Sequence, residues 1–145
     1  MHRQRIHQWY EQYKDGLFRF ALFILKDTES AEDVLQEVFL RLLSGRYAPE
    51  PGKEQAYLYR AARNLCYDEL RRRKRHTEAA KTHPAGEETY AYIELLAPLN
   101  PKEQEIVTLK IVGGLTHREI ARVMGMTEQA AKKRYIRAIE KLREE

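Results

Sequence analysis

The sequence has almost no cysteine and no long hydrophobic run, and each shortage excludes a class of protein. Cys66 is the one cysteine among 145 residues, which excludes a disulfide framework and a multi-cysteine metal site. The longest unbroken apolar run, Phe20–Leu25, is far shorter than the about 20 residues that a membrane-spanning helix needs. No apolar stretch of signal-peptide length follows Met1–Arg5, so we expect a cytoplasmic protein.

What is present is a chain rich in both apolar and charged residues. Hydrophobic residues make up 43% of the sequence, too many for a disordered chain. Lysine and arginine number 26 and aspartate and glutamate 22, a formal net charge of +4. This basic balance is compatible with a nucleic-acid partner but is weak evidence when taken alone.

The charge lies in one acidic and two basic stretches. Residues 27–37 hold five acidic residues and no lysine or arginine. Residues 60–75 hold seven basic residues against two acidic ones, and residues 132–143 hold six against one. A single charge run is often just a solvated helix face. Two separate basic stretches in one short chain favour a polyanionic partner.

Apolar residues recur at helical spacing along the whole chain, so we predict an all-α protein. A break with two prolines and a glycine at residues 49–52 separates the second helix from the third. The polar segment 76–92 is interpreted as a flexible linker. We therefore expect two small helical domains, over residues 1–75 and 93–145, each near the lower size limit for an independent core.

The last third of the chain carries the helix-turn-helix pattern. Thr116 and Glu119 form a capping box, and Gly125 before Thr127 predicts a tight turn and a second cap. A longer basic helix follows, from about Glu128 to Arg143. In this motif the second helix enters the DNA major groove. The alternative interpretation of the same pattern is a plain helical hairpin that does not bind DNA. The candidate DNA contacts are Arg118, Gln129, Lys132, Lys133, Arg134 and Arg137.

The third predicted helix, roughly residues 53–75, interleaves aromatic and basic residues on one face. Such a face suits single-stranded DNA, because rings stack on bases while cations follow the backbone. The alternative is that the tyrosines pack half-buried against a neighbouring helix. The candidate contacts are Tyr57, Arg60, Arg63, Asn64, Tyr67 and Arg71. The run Arg71–Arg75 covers all sides of a helix, so we expect it to be largely solvated or bound to phosphate.

The second predicted helix carries a polar, mainly acidic cluster opposite its apolar stripe. Its members are Asp33, Gln36, Glu37 and Leu40. The acidic residues suit a basic protein partner, and an exposed Leu40 would supply a small apolar anchor. The alternative is a solvated surface, which periodicity does not distinguish from a binding face.

The sequence offers no arrangement typical of an enzyme. Its five histidines are scattered, and none has metal-ligand spacing to a cysteine or carboxylate. Cys66 lies beside the apolar face of the third helix, where we expect it to pack. We therefore expect no catalysis, no metal, no cofactor and no small-molecule substrate.

Three segments resemble parts of bacterial sigma factors. Asp33–Arg41 resembles the core of their second domain. Tyr57–Leu65, with the arginine run after it, resembles the helix that reads the minus-ten promoter element. Leu99–Leu142 is similar to the fourth domain, which reads the minus-thirty-five element. Two such domains with nothing between them match the extracytoplasmic-function (ECF) group of the sigma-70 family.

The resemblance implies that the chain is a specificity subunit of RNA polymerase. Its partners would be promoter DNA, the coiled coil of the core polymerase β′ subunit, which the acidic cluster would contact, and an anti-sigma factor. Asn64 and its neighbours, with the loop 44–55, would capture flipped-out bases. Two alternatives stay open: a sigma-like activator that binds DNA without replacing the polymerase's own sigma, and an interaction protein that sequesters an anti-sigma factor.

Overall fold

The computed structural model describes residues 2–46, 48–76 and 84–144, and all regular elements in these ranges are α-helices. The all-α prediction is confirmed. The helices are α1 (His2–Leu25), α2 (Thr28–Leu43), α3 (Glu54–His76), α4 (Glu87–Leu95), α5 (Pro101–Ile111), α6 (His117–Met124) and α7 (Glu128–Glu144). The chain divides into two compact units, residues 1–85 and 86–145. None of the helices just named is long and apolar enough to cross a membrane.

The first unit is built from α1, α2 and α3, each of which packs on the other two. Leu17, Phe20, Leu58 and Tyr59 are among its almost completely buried side chains. The rings of Phe20 and Tyr59 meet edge to face, with 5.6 Å between their centroids. Burial raises the pKa of the Tyr59 phenol above its ordinary value. Cys66 is buried among these helices, as the sequence predicted.

An ionic cluster closes the corner between α1 and α2. Asp27 caps α2 by accepting a hydrogen bond of 3.1 Å from the backbone N–H of Ser30. Arg73 of α3 donates to Asp27 Oδ2 at 3.1 Å, to Ser30 Oγ at 2.8 Å and to the carbonyl of Leu25 at 3.1 Å. Arg73 is therefore an exception to the expectation that the arginine run is largely solvated or bound to phosphate. Its position in the helical turn points it at the corner, where a buried carboxylate needs a cation.

The expected linker, residues 76–92, differs from a simple flexible segment. Residues 77–83 of it lie outside the described residues. Ala85 is buried against the α1–α2 corner, and its N–H donates to the carbonyl of Lys26 at 3.3 Å. α4 then begins at Glu87, so the end of the expected linker is helical. Gly86 serves as the N-cap, and two glutamates in the first turn favour a helix there.

In the second unit α5 and α6 pack against α7. Asn100 and Glu103 form a capping box at the start of α5. Glu103 also accepts two hydrogen bonds from Lys141 Nζ of α7, at 2.8 and 2.9 Å. Burial disfavours the charge on Glu103, but the hydrogen bonds from Lys141 and the Asn100 backbone outweigh it and lower the pKa of this carboxyl. The pair joins the start of α5 to the end of α7.

Candidate functional site

α6 and α7 form the helix-turn-helix that the sequence predicted. Thr116 Oγ1 accepts a hydrogen bond from the N–H of Glu119 at 3.1 Å, and the Glu119 side chain accepts one from the N–H of Thr116 at 2.9 Å. Gly125 ends α6 with a φ of 70°, a conformation that favours glycine. Thr127 Oγ1 then accepts from the N–H of Ala130 at 3.1 Å, which fixes the start of α7.

One face of α7 is buried and the opposite face is open to solvent. Ala131 and Ala138 are completely buried on the first face, where their small side chains let α7 approach its neighbours closely. The opposite face and its edges carry the exposed residues Gln129, Lys132, Lys133, Ile136, Arg137 and Glu140. All the predicted contact residues of α7 are therefore accessible. The sequence reasoning did not assign a role to Ile136.

The remaining two candidates of this motif, Arg118 and Arg134, lie beside that face. Arg118 Nε is 3.4 Å from Glu128 Oε1, and both side chains are well exposed. A surface ion pair of this kind contributes little, so Arg118 is open to an anion. Arg134 is exposed as well, about two turns before Lys141 on the same flank of α7. Both arginines are thus exposed at the sides of the solvent-facing surface of α7.

A surface cavity of about 270 Å³ brings part of the predicted minus-ten cluster together. Its walls are Val38 and Arg41 of α2 and Tyr57, Arg60, Ala61 and Asn64 of α3. Tyr57 is half-buried there, whereas Arg60 and Asn64 are exposed. Arg41 was missed from sequence because it lies on another helix. A cavity with an aromatic ring, an amide and two cations is suited to a base and its phosphate.

The other three candidates on α3 are engaged with neighbours on the same helix. The guanidinium carbon of Arg63 lies 4.9 Å from the centroid of the Tyr67 ring, a cation–π contact that covers one face of the ring. A base that stacks on that face would first have to displace Arg63. Arg71 is exposed and forms an ion pair with Asp68.

A groove of about 380 Å³ between α2 and α3 is predominantly acidic. Its lining residues are Ser30, Asp33, Val34, Glu37, Leu65, Asp68, Glu69 and Arg72. Hydrogen bonds from Arg72 and Arg73 hold the pKa of the Glu69 carboxyl below its ordinary value, against the effect of its partial burial. Asp68 was missed as part of this surface. The sequence feature that indicates its role is the acidic pair Asp68 and Glu69 inside the otherwise basic stretch 60–75.

A second groove, of about 630 Å³, lies between α1 and α2 and is largely apolar. It is lined by Arg3, Ile6, His7, Tyr10, Gln36, Phe39, Leu40 and Leu43. Leu40 and Leu43 are 58% and 52% exposed. The predicted acidic cluster is therefore spread over neighbouring surfaces. Asp33 and Glu37 line the acidic groove, and Gln36 and Leu40 line the apolar one. Glu37 and Leu40 also line a third surface cavity together.

Comparison with known proteins decides the family. Residues 9–76 match the Sigma-70 region 2 model, and residues 90–142 match the Sigma-70 region 4 model. The chain is 31% identical to the RNA polymerase sigma factor CarQ of Myxococcus xanthus over an alignment of 139 positions, gaps included, which covers 86% of this chain and 79% of CarQ. The chain belongs to the ECF group of sigma-70 factors. The family expected from the sequence is confirmed.

Other ECF sigma factors are similar over most of this chain. SigM of Bacillus subtilis is 26% identical over an alignment of 151 positions, gaps included, which covers 95% of this chain and 93% of SigM. BldN of Streptomyces coelicolor is 31% identical over an alignment of 150 positions, gaps included, which covers 92% of this chain. The chain spans 57% of the length of BldN.

Two solved structures share the fold. RpoE of Bartonella quintana, solved with the anti-sigma factor NepR, is 23% identical, with a TM-score of 0.77 over 97% of this chain and 96% of RpoE. CnrH, solved with the cytosolic domain of CnrY, is 24% identical, with a TM-score of 0.72 over 96% of this chain and 86% of CnrH. The predicted fold class is confirmed.

Proposed function

We propose that this ECF sigma factor directs promoter-specific initiation by RNA polymerase in the cytoplasm. The first unit binds the core enzyme and the minus-ten element, and the second unit binds the minus-thirty-five element. The observation that carries the proposal is the arrangement of three open surfaces on the first unit. The acidic groove and the apolar groove both lie along α2, and the base-sized cavity of α3 lies beside them. The helix-turn-helix supplies a separate basic surface. This role needs no catalytic chemistry from the chain.

The core polymerase is proposed to dock on α2 through both grooves. Asp33 and Glu37 present negative charge to a basic segment, here assigned to the β′ coiled coil, and Asp68 adds to the same groove. Leu40 supplies an exposed apolar anchor next to them. Charge then steers the encounter, and the apolar contact slows dissociation.

The cavity around Tyr57 is proposed to receive one unpaired base of the non-template strand. Unstacking a base costs a few kcal/mol, and stacking it on an aromatic ring returns about 1–3 kcal/mol. These magnitudes nearly cancel, so the isolated chain is expected to melt no promoter. The contacts of the polymerase must supply the remaining free energy.

The second unit is proposed to dock α7 in the upstream major groove. Gln129 and Arg137 have the side-chain chemistry to read adenine and guanine edges. Lys132 and Lys133 would contact bases or phosphates, while Arg118 and Arg134 would contact phosphates at the edges of the groove.

An anti-sigma factor is proposed as a further partner. RpoE, a sigma factor that shares this fold, was solved in complex with the anti-sigma factor NepR. The apolar groove around Leu40 and Leu43 is a surface that a helix of such a protein could cover. Because Leu40 would also contact the polymerase, the two partners would compete for it.

Association with core polymerase tests the proposal against its alternatives. The charge reversal Glu37→Lys should abolish co-purification with core polymerase. The matched control Glu11→Lys reverses an exposed glutamate on α1 and should leave association unchanged. A sigma-like activator would give equal association for both variants. A protein that merely sequesters an anti-sigma factor would bind no specific DNA, and its log–log salt slope would be near zero instead of about −5 for six phosphates.

A further inference from the structure

Ile136 is an apolar side chain in the middle of the charged face of α7. It is 45% exposed, and the buried alanines of the helix, Ala131 and Ala138, lie on the opposite side. Its neighbours one helical turn earlier are Lys132 and Lys133. Isolated apolar residues are common on protein surfaces, so exposure alone carries no meaning. The position of Ile136 is informative, because its side chain lies among the cations that are proposed to contact DNA.

The major groove presents one apolar group to a protein. The donors and acceptors of the base edges are polar, and thymine alone among the four standard bases adds a methyl group, at C5. An isoleucine on the groove-facing side of a recognition helix has no hydrogen bond to offer, but its methyl groups can exclude water from that C5 methyl. We propose that Ile136 is a specificity residue that recognises a thymine at one fixed position of the upstream promoter element. This inference rests on the proposed function of the second unit.

Replacing thymine by deoxyuridine tests the contact, because it removes the methyl group and leaves base pairing intact. Duplexes are first selected from a random-sequence pool with the full chain bound to core polymerase. Each thymine of the upstream part is then replaced by deoxyuridine in turn. Burial of one methyl-sized group changes the affinity of the holoenzyme for the duplex by roughly three- to fivefold. Wild-type holoenzyme should show a loss of about this size at one thymine.

The Ile136→Ala holoenzyme should bind more weakly overall and should lose its sensitivity to deoxyuridine at that one thymine. The matched control is Ile111→Ala, which truncates another exposed isoleucine of the same unit, at the end of α5. It should keep the full wild-type pattern. Lys133→Ala should weaken binding to every duplex and still show the deoxyuridine penalty.

Two results would overturn the inference while leaving the proposed function intact. One is specific upstream binding in which no thymine is sensitive to deoxyuridine. The other is an Ile136→Ala pattern identical to that of the wild type. A wild-type holoenzyme that selects no shared upstream sequence would overturn the proposed function itself, and the inference with it.

Discussion

Arg73 Nη2 lies 3.1 Å from Asp27 Oδ2, and this ion pair joins the C-terminal half of α3 to the start of α2. The Asp27 side chain is 4% exposed and that of Arg73 is 22% exposed. Arg73 also binds Glu69 on its own helix, at 3.0 Å. A cation that looks like part of a DNA-binding run therefore holds the first unit together.

Removal of the guanidinium should destabilise the first unit strongly. Arg73→Met leaves the buried Asp27 carboxylate without its cation, which costs about 3 kcal/mol. Trp9, the one tryptophan of the sequence, lies in α1, so urea unfolding followed by tryptophan fluorescence reports this unit. Arg75→Met removes the same charge from an exposed position and should change stability by less than about 0.5 kcal/mol. Equal unfolding midpoints for the two variants would contradict the assignment.

The ion pair between Glu103 and Lys141 should make the second unit sensitive to acid. The pKa of Glu103 is lower in the folded chain than its ordinary value of 4.5. Its contribution to stability is therefore complete above pH 4.5 and is lost as the pH falls through the folded-state pKa. Lys141→Met should be less stable than wild type by about 1 kcal/mol at pH 7, because Lys141 is half-exposed and screened. The difference should shrink as the pH falls below 4.5.

Circular dichroism measures this effect, since a helical transition without a matching change in tryptophan fluorescence belongs to the second unit. Lys102→Met, at an exposed position at the start of α5, is the matched control and should follow the wild type at each pH. A difference between Lys141→Met and wild type that stays constant down to the most acidic point would contradict this role of the pair.

The basic face of α7 should control the salt dependence of DNA binding. Each phosphate contact contributes about 0.9 to the slope of log affinity against log salt. Lys132→Ala combined with Lys133→Ala should make the slope less negative by at least about one, measured by fluorescence anisotropy with duplex DNA and the full chain. Lys102→Ala is the control and should keep the wild-type slope. A doubly substituted chain with an unchanged slope would show that these lysines do not meet phosphate.

The sequence was sufficient for six of the seven helices, α4 being the exception, and for the accessible faces of α2 and α7, because helical periodicity and capping chemistry are local. The two capping boxes and the exposure of Asp33, Gln36 and Lys133 follow from spacing alone. The role of Arg73 does not, because its partner Asp27 is 46 residues away and five adjacent cations look alike in a helical projection. Contacts between helices also decide that Gln36 and Glu37 line different grooves.

Tyr57 should matter for promoter opening more than for duplex binding. Tyr57→Ala removes the ring of the α3 cavity, and a stacking loss of about 1–3 kcal/mol corresponds to roughly a 5- to 150-fold weaker opening equilibrium. A fluorescent base analogue in the minus-ten region of the holoenzyme complex measures this opening. Tyr57→Phe keeps the ring and should open promoters nearly as well as wild type. If Tyr57→Ala opened them as wild type does, the cavity would not be the base-binding site.

Run-off transcription with purified core polymerase tests the sigma-factor role most directly. On a library of promoter templates, adding this chain should produce transcripts whose start sites lie downstream of a shared pair of elements. Glu37→Lys should produce none, while Glu11→Lys should match the wild type. If core polymerase made no promoter-specific transcripts with the wild-type chain, or made as many with Glu37→Lys, the proposed function would be contradicted.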